Sequence, residues 1–335
     1  MKKNISLFVA IVLIISNICA CGMTNTVDAQ TTEQTSTKNL KIVTTIFPIY
    51  DWVKNILGEK FDKNNVSILL DNSVDLHNYQ PTSADIVKIS NSDLFIYIGG
   101  ESDKWVPSVL EQVSNKKLKA ISLMEYINAD LRPEEEKEGM EEDHEEEHEG
   151  EEEHEEEYDE HIWLSLKNAK KLVSAISNVL QELDADNKSI YAENTTQYID
   201  KLQTLDKEYA DATNTDGNKT LIFGDRFPFL YMTKDYGLDY YATFKGCSAE
   251  TEASFKTIAF LAQRLDEYNL DYIFTIEGTN HKIAETIIEN SNNKDRKILT
   301  LNSMQSTTTK DIESGSNYID IMQNNLDVLK QALNK

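Results

Sequence analysis

Residues 41–58 read Lys41-Ile-Val-Thr-Thr-Ile46-Phe47-Pro48-Ile49-Tyr-Asp-Trp-Val-Lys-Asn-Ile-Leu57-Gly58. A β-branched run over 41–46 stops at Phe47-Pro48. Apolar residues then recur at helical spacing over 49–57, and Gly58 can cap the helix end. The pattern is strand, turn, helix, C-cap. Working outward, residues 66–70 make a second buried strand, and a polar loop over 71–80 carries His77. Pro81 opens a helix with Ile86 and Ile89 on its apolar side, and a strand over 94–98 closes on Gly99-Gly100. Strands alternating with helices imply βαβ units and a mostly parallel sheet, in which ligands sit outside the C-terminal strand ends. His77 lies in one of those loops.

The alternation resumes further along. Leu166, Ala169, Leu172, Val173, Ile176 and Leu180 form one side of a helix over 164–183. Asp184 or Asp186 can cap a second long helix to about residue 213, with Tyr191, Tyr198, Leu202, Leu205 and Tyr209 at helical spacing as a core stripe. Strands over 220–223, 238–243, 272–276 and 298–301 then mark a second α/β lobe, with a helix from Ser254 to about Tyr268 and a closing helix over 318–333. The fold class is α/β: two lobes with mostly parallel sheets joined by a long helix. The expected organisation is 1–20 export signal, 21–38 tether, 39–183 first lobe, 184–214 connecting helix and 215–335 second lobe.

Between the halves lies an abrupt change. Residues 134–160 hold 17 Glu and two Asp against one Lys, a local charge of about −18, with His144, His148 and His154 among them. Like charges three and four apart oppose a helix, so the tract reads as a solvated loop, one able to collect divalent metal through imidazole and carboxylate donors. The whole chain of 335 residues carries −25, so the remainder is only mildly acidic, which argues against nucleic acid as a partner.

At the N-terminus, Lys2 and Lys3 precede an apolar run over 7–15 that is too short to span a bilayer. Ile18-Cys19-Ala20-Cys21 resembles the bacterial lipobox, which implies cleavage before Cys21 and lipidation of it. Residues 22–38 are rich in Thr and Gln, suiting a flexible tether. Cys247 would be the one thiol left in the mature chain, which excludes a disulfide framework.

Several stretches together resemble the extracytoplasmic solute-binding lipoproteins of zinc and manganese ABC transporters. They are Asp75-Leu-His77-Asn-Tyr79-Gln-Pro81 with Ala84-Asp85-Ile86, Gly99-Gly100-Glu101 with Trp105, and Asp159-Glu-His161-Ile-Trp163-Leu-Ser, which is similar to the family's Asp-Pro-His-x-Trp-Leu-Ser. Tyr236-Gly237-Leu238, Gly246-x-Ser248 with Glu252-x-Ser254, Glu277, and Tyr318 with Asn325-Leu follow in order. The resemblance spans about residues 41–333, and an acidic His-rich insert marks the zinc-binding members. It implies that His77 and His161 are metal ligands, and imidazole is a preferred zinc donor.

Two departures qualify it. Gly224 stands where zinc members supply a third His and manganese members a Glu, and Asn302-Ser303-Met304-Gln305 stands where the family has a fourth carboxylate. Replacement donors from the second lobe are Asp225 first and Glu277 second, with Cys247 and Glu250 also open. For Asp225 the alternative is a local salt bridge with Arg226 or a helix cap. For Glu277 it is a bracing role.

The resemblance implies a lipid-anchored, monomeric binding protein that captures Zn2+, with Mn2+ the alternative, and delivers it to ABC permease subunits. Rival readings are a metal-dependent adhesin and a surface metallohydrolase, the latter without an HExxH motif to support it.

Overall fold

The computed structural model describes residues 39–70, 76–141, 157–248, 252–278 and 280–333. Cys21, Glu250 and the three tract histidines fall outside them.

The opening stretch forms β1 (Ile42–Thr44) and α1 (Phe47–Leu57), with Pro48 in the first helical turn and Gly58 at the C-cap in a positive-φ conformation. β2 (Val66–Ile68), α2 (Ser83–Ser90), β3 (Leu94–Tyr97), α3 (Val106–Gln112) and β4 (Lys119–Ser122) complete the first lobe. Its four strands run parallel in the order β2-β1-β3-β4, with Ile42 opposite both Val66 and Leu94. β1 is buried along its whole length, as expected of a strand covered on both faces. Helix α2 starts two residues later than Pro81 suggests. Thr82 accepts the Asp85 N–H, and the Asp85 carboxylate accepts the Thr82 N–H, a capping box that outcompetes the proline start.

Next comes α4 (Leu166–Leu183), N-capped by the Ser165 hydroxyl, and then α5 (Lys188–Thr213). All six apolar positions expected of α4 and all five of α5 are buried. α5 begins after Asn187. Asp184 instead accepts hydrogen bonds from Asn187 and from the Tyr191 hydroxyl, bracing the corner between the helices.

The second lobe holds β5 (Thr220–Phe227), α6 (Leu230–Tyr236), β6 (Asp239–Lys245), α7 (Phe255–Glu267), β7 (Tyr272–Ile276), α8 (Lys282–Asn290), β8 (Lys297–Leu301), α9 (Thr309–Glu313) and α10 (Tyr318–Leu333). Its strands are also parallel, in the order β6-β5-β7-β8. Among the described residues no helix is long and apolar enough to cross a membrane.

The described ends of the acidic tract depart from expectation, while residues 142–156 lie outside the described residues. Pro133 and Tyr158 form an antiparallel bridge, the Glu134 N–H donates to the Glu157 carbonyl, and Asp159 and Glu160 are buried. Residues 134–141 lie on the second lobe, where Lys234, Lys245 and Arg264 pair with Glu135, Glu136 and Glu138. Cations from a distant part of the chain thus offset the local repulsion that made the run look solvated.

α1, α5 and α10 meet at Asp51, whose carboxylate accepts the Tyr318 N–H at 3.1 Å and the Tyr198 hydroxyl at 3.4 Å. Burial pushes this carboxyl up to about 6, the two hydrogen bonds only partly opposing it. A carboxyl raised in the folded state keeps its proton longer than in the unfolded chain. Folding is therefore penalised increasingly as pH rises from the ordinary carboxylate range to about 6. Asp51→Asn keeps an acceptor and cannot ionise. Its stability relative to the parent should rise by on the order of 3 kcal/mol between about pH 3.5 and about pH 7. Urea unfolding of both chains across that range checks this; a pH-independent difference would contradict it.

Candidate metal centre

Each site residue stands where a buried anchor fixes it. His77 sits in a short 3-10 turn, Leu76–Asn78, tethered by buried Leu76. His161 directly precedes the turn Ile162–Leu164, whose three side chains are all buried. Cys247 follows Gly246 at the C-terminal end of β6, the position at which parallel sheets present ligand loops.

These three meet. One donor atom each from His77, His161 and Cys247 lies within 4.8 Å of the other two. The imidazole rings are 5.4 Å apart, centre to centre. A tetrahedral zinc ion with bonds of about 2.0–2.3 Å needs donors about 3.3–3.6 Å apart, so the group is one small contraction from a site.

Both rings are held from behind. The His77 Nδ1 lies 3.0 Å from the Glu160 carboxylate and 3.0 Å from the Ser102 hydroxyl. His161 Nδ1 lies 3.1 Å from Asp159, which also accepts the His161 N–H at 2.8 Å. This carboxylate–imidazole arrangement orients metal-binding histidines and turns the second nitrogen toward the ion. His161 Nε2 is buried without a hydrogen-bond partner, which is costly unless something not a hydrogen bond satisfies it.

The electrostatics favour a cation. Burial would depress His161, but Asp159, Glu160 and Glu134 outweigh it and raise its pKa above the ordinary histidine value. Burial would raise Glu160, but hydrogen bonds and charge from His77, with His161 and Ser102, hold it below the usual range. Burial pushes the Cys247 thiol well up, and Glu160, Glu134 and Asp159 push it further. Without an ion the sulfur is a thiol, 3.9 Å from Glu160. A divalent cation held here would reverse that balance and favour the thiolate.

Asp225 is placed differently from the sequence expectation, whereas Glu277 stands at the strand end expected of it and makes the contacts of the bracing alternative. β5 runs on to Phe227, so Asp225 lies within the strand rather than after it. Its two oxygens accept the N–H groups of Arg226 and of Ile276 in β7. Glu277 ends β7 and accepts the N–H groups of Ser303 and Gln305 and the Ser303 hydroxyl, bracing the loop after β8. Neither belongs to the three-donor group.

Gly224 faces α8. A Cβ there would come within 2.6 Å of the Ala284 Cα, so no histidine fits without moving that helix. Gly246 has the converse role: its absent side chain leaves room for the His161 ring, which a Cβ would approach to 3.0 Å. Glu160 and Ser102 are site residues the motif reading passes over. Glu160 stands where the family pattern has proline, and that departure is the signal for it.

The profile of the family described as "Zinc-uptake complex component A periplasmic" matches residues 42–332. The chain belongs to this family. It is 33% identical over 316 residues to the high-affinity zinc uptake system protein ZnuA of Bacillus subtilis, covering 94% of this chain and 93% of that protein. It is 32% identical over 320 residues to the zinc-binding lipoprotein AdcA of Streptococcus pneumoniae R6, covering 96% of this chain but only 60% of that longer protein. The crystal structure of the Zn(II)-bound ZnuA-like domain of Streptococcus pneumoniae AdcA matches 88% of this chain and 99% of its own, with a TM-score of 0.69 at 30% identity. Two α/β lobes with parallel sheets are therefore this family member's architecture.

The titration directions give a test. His161 holds its proton above the ordinary histidine pKa of 6.5, and the thiol holds its own through neutrality, so a metal must displace both. Zinc affinity should fall by more than about tenfold per pH unit between about pH 7 and about pH 5.5. Competition against a chromophoric chelator measures it, and a flat profile would point to carboxylate donors alone.

Proposed function

We propose that this protein captures a zinc ion outside the cytoplasmic membrane and delivers it to the permease subunits of an ABC transporter. In this reading His77, His161 and Cys247 hold the ion, two imidazoles and one thiolate. Zinc favours that donor set, whereas manganese favours oxygen donors. The observation that carries it is His161, whose buried Nε2 has no hydrogen-bond partner and whose ring offers a donor atom within 4.8 Å of one from Cys247 and one from His77. The fourth position is left to water or to the Glu160 carboxylate. An open position suits a cargo that must later be released.

Asp225 and Glu277 serve the site indirectly here, one closing the sheet between β5 and β7, the other holding the loop after β8. The chain is anchored as a monomer by a lipid on Cys21. The relatives are named for zinc binding and uptake, and the reading assigns this site capture and release rather than hydrolysis.

A zinc-bound crystal structure is the direct test. Coordination by both histidines and the Cys247 sulfur is expected; coordination through Asp225 or Glu277 with Cys247 turned away would overturn the ligand set. By calorimetry, His77→Ala, His161→Ala and Cys247→Ser should each weaken binding by about tenfold to a hundredfold or more, since each removes a share of a binding energy on the order of 10 kcal/mol. Parental affinity in either histidine variant would remove that residue from the site.

A further inference from the structure

The acidic tract's first limb is a built feature that metal capture leaves unexplained. From the bridge at Pro133 it crosses onto the second lobe and follows β6. Lys137 pairs with Asp239 at 2.5 Å while lying 4.7 Å above the Tyr240 ring. Met140 is 7% exposed, and the Glu141 N–H donates to the Thr243 carbonyl at 2.9 Å. Gly139, at a φ of 87°, packs so closely that a Cβ would lie 2.1 Å from the Phe260 ring. A solubilising linker needs none of these contacts.

Glu134 stands at the base of this limb. Its N–H is held by the Glu157 carbonyl at 2.8 Å, and its carboxylate accepts the Cys247 N–H at 3.1 Å. The loop that carries the sulfur is thus attached to a segment inserted from the first half of the chain, beside the two residues that precede His161.

We propose that residues 134–141 form a strap across the second lobe and that Glu134, at its root, is the positioning residue that holds Cys247 with its sulfur toward His77 and His161. The proposal rests on Cys247 being a metal ligand. Its physical basis is geometric: a backbone N–H fixed on a rigid acceptor fixes the Cα–Cβ direction of the same residue, and metal affinity falls when donors lose their preset orientation. Glu134 does not touch the ion. It sets how much of the binding energy is lost in ordering the Cys247 loop.

The test uses cobalt(II) as the probe in the full chain, reading the thiolate-to-cobalt charge-transfer band together with zinc affinity. Glu134→Ala should lower affinity by about tenfold and reduce the band, because the sulfur samples more orientations. Glu134→Gln retains an oxygen acceptor and should restore both. Gly139→Leu, which cannot seat against Phe260, should behave like Glu134→Ala although it lies away from the metal. A parental band and affinity in Glu134→Ala overturns the proposal, as does a glutamine variant as impaired as alanine. A parental result for Gly139→Leu overturns the strap. Cys247→Ser separates the two levels: if it keeps the band, the ligand assignment itself fails, whereas its loss beside an intact Glu134→Ala leaves that assignment standing and refutes only the positioning role.

Discussion

Everything in the centre follows from carboxylates placed in low-dielectric surroundings around two imidazoles. Asp159 and Glu160 are 1% and 0% exposed, Glu134 is half-buried, and His161 between them is fully enclosed. Such carboxylates are costly to bury unless positive charge accompanies them. A protonated imidazole supplies some of it, which is why the pKa of His161 is raised. A divalent cation would supply more, and the unbonded Nε2 of His161 leaves a donor for it. The proton and the metal therefore compete for one electrostatic position, and the surrounding acids strengthen both competitors. Raising the pH removes the proton from the imidazole and shifts the balance toward the metal.

The two halves of the chain hold this arrangement shut. The Trp163 indole donates to the Ser303 carbonyl at 2.8 Å, the Tyr318 hydroxyl to the Trp163 carbonyl at 2.6 Å, and the Tyr231 hydroxyl to the Asp159 carbonyl at 2.7 Å. All three join the segment Asp159–Trp163 around His161 to elements of the second lobe. Glu277 belongs to the same system, because it fixes the Ser303 backbone that Trp163 meets. A carboxylate at a strand end of a binding cleft invites a ligand reading, yet here its oxygens are occupied by the backbone of the next loop.

Most of the architecture was legible in the sequence because the two periodicities are strong. The β-branched runs and the apolar stripes of α4, α5 and α10 sit where the pattern puts them. β4 and α3 were not legible: Lys119–Ser122 is a short strand with no alternation of its own, recruited by pairing with β3. His77 and His161 were visible through motif and loop position. Cys247 appeared only as one open donor among several, since a lone cysteine carries no spacing signal and what selects it is the parallel register of β5 and β6. Glu160 and Glu134 were hidden inside a run of identical charges, where composition marks all of them as solvated. Long-range burial singles out two of them, and no local pattern encodes that.

The departures at Gly224 and Asn302 make sense together. In the family pattern a third histidine and a carboxylate give a zinc ion one negative charge among its ligands. Residue 224 cannot serve here, because its side-chain direction is filled by Ala284 of α8. Asn302 is taken up by the backbone: its N–H donates to the Asn325 side chain, and its own side-chain oxygen accepts the Met304 N–H. In the proposed ligand set, a single Cys247 thiolate one strand over, on the loop after β6, would restore the same ligand charge with one fewer residue. It would also fill the second-lobe side of the cluster. With sulfur supplying both charge and bridging, neither the missing histidine nor the missing carboxylate would need to be replaced at its own position. The amide at 302 and the glycine at 224 are then free to be selected for packing.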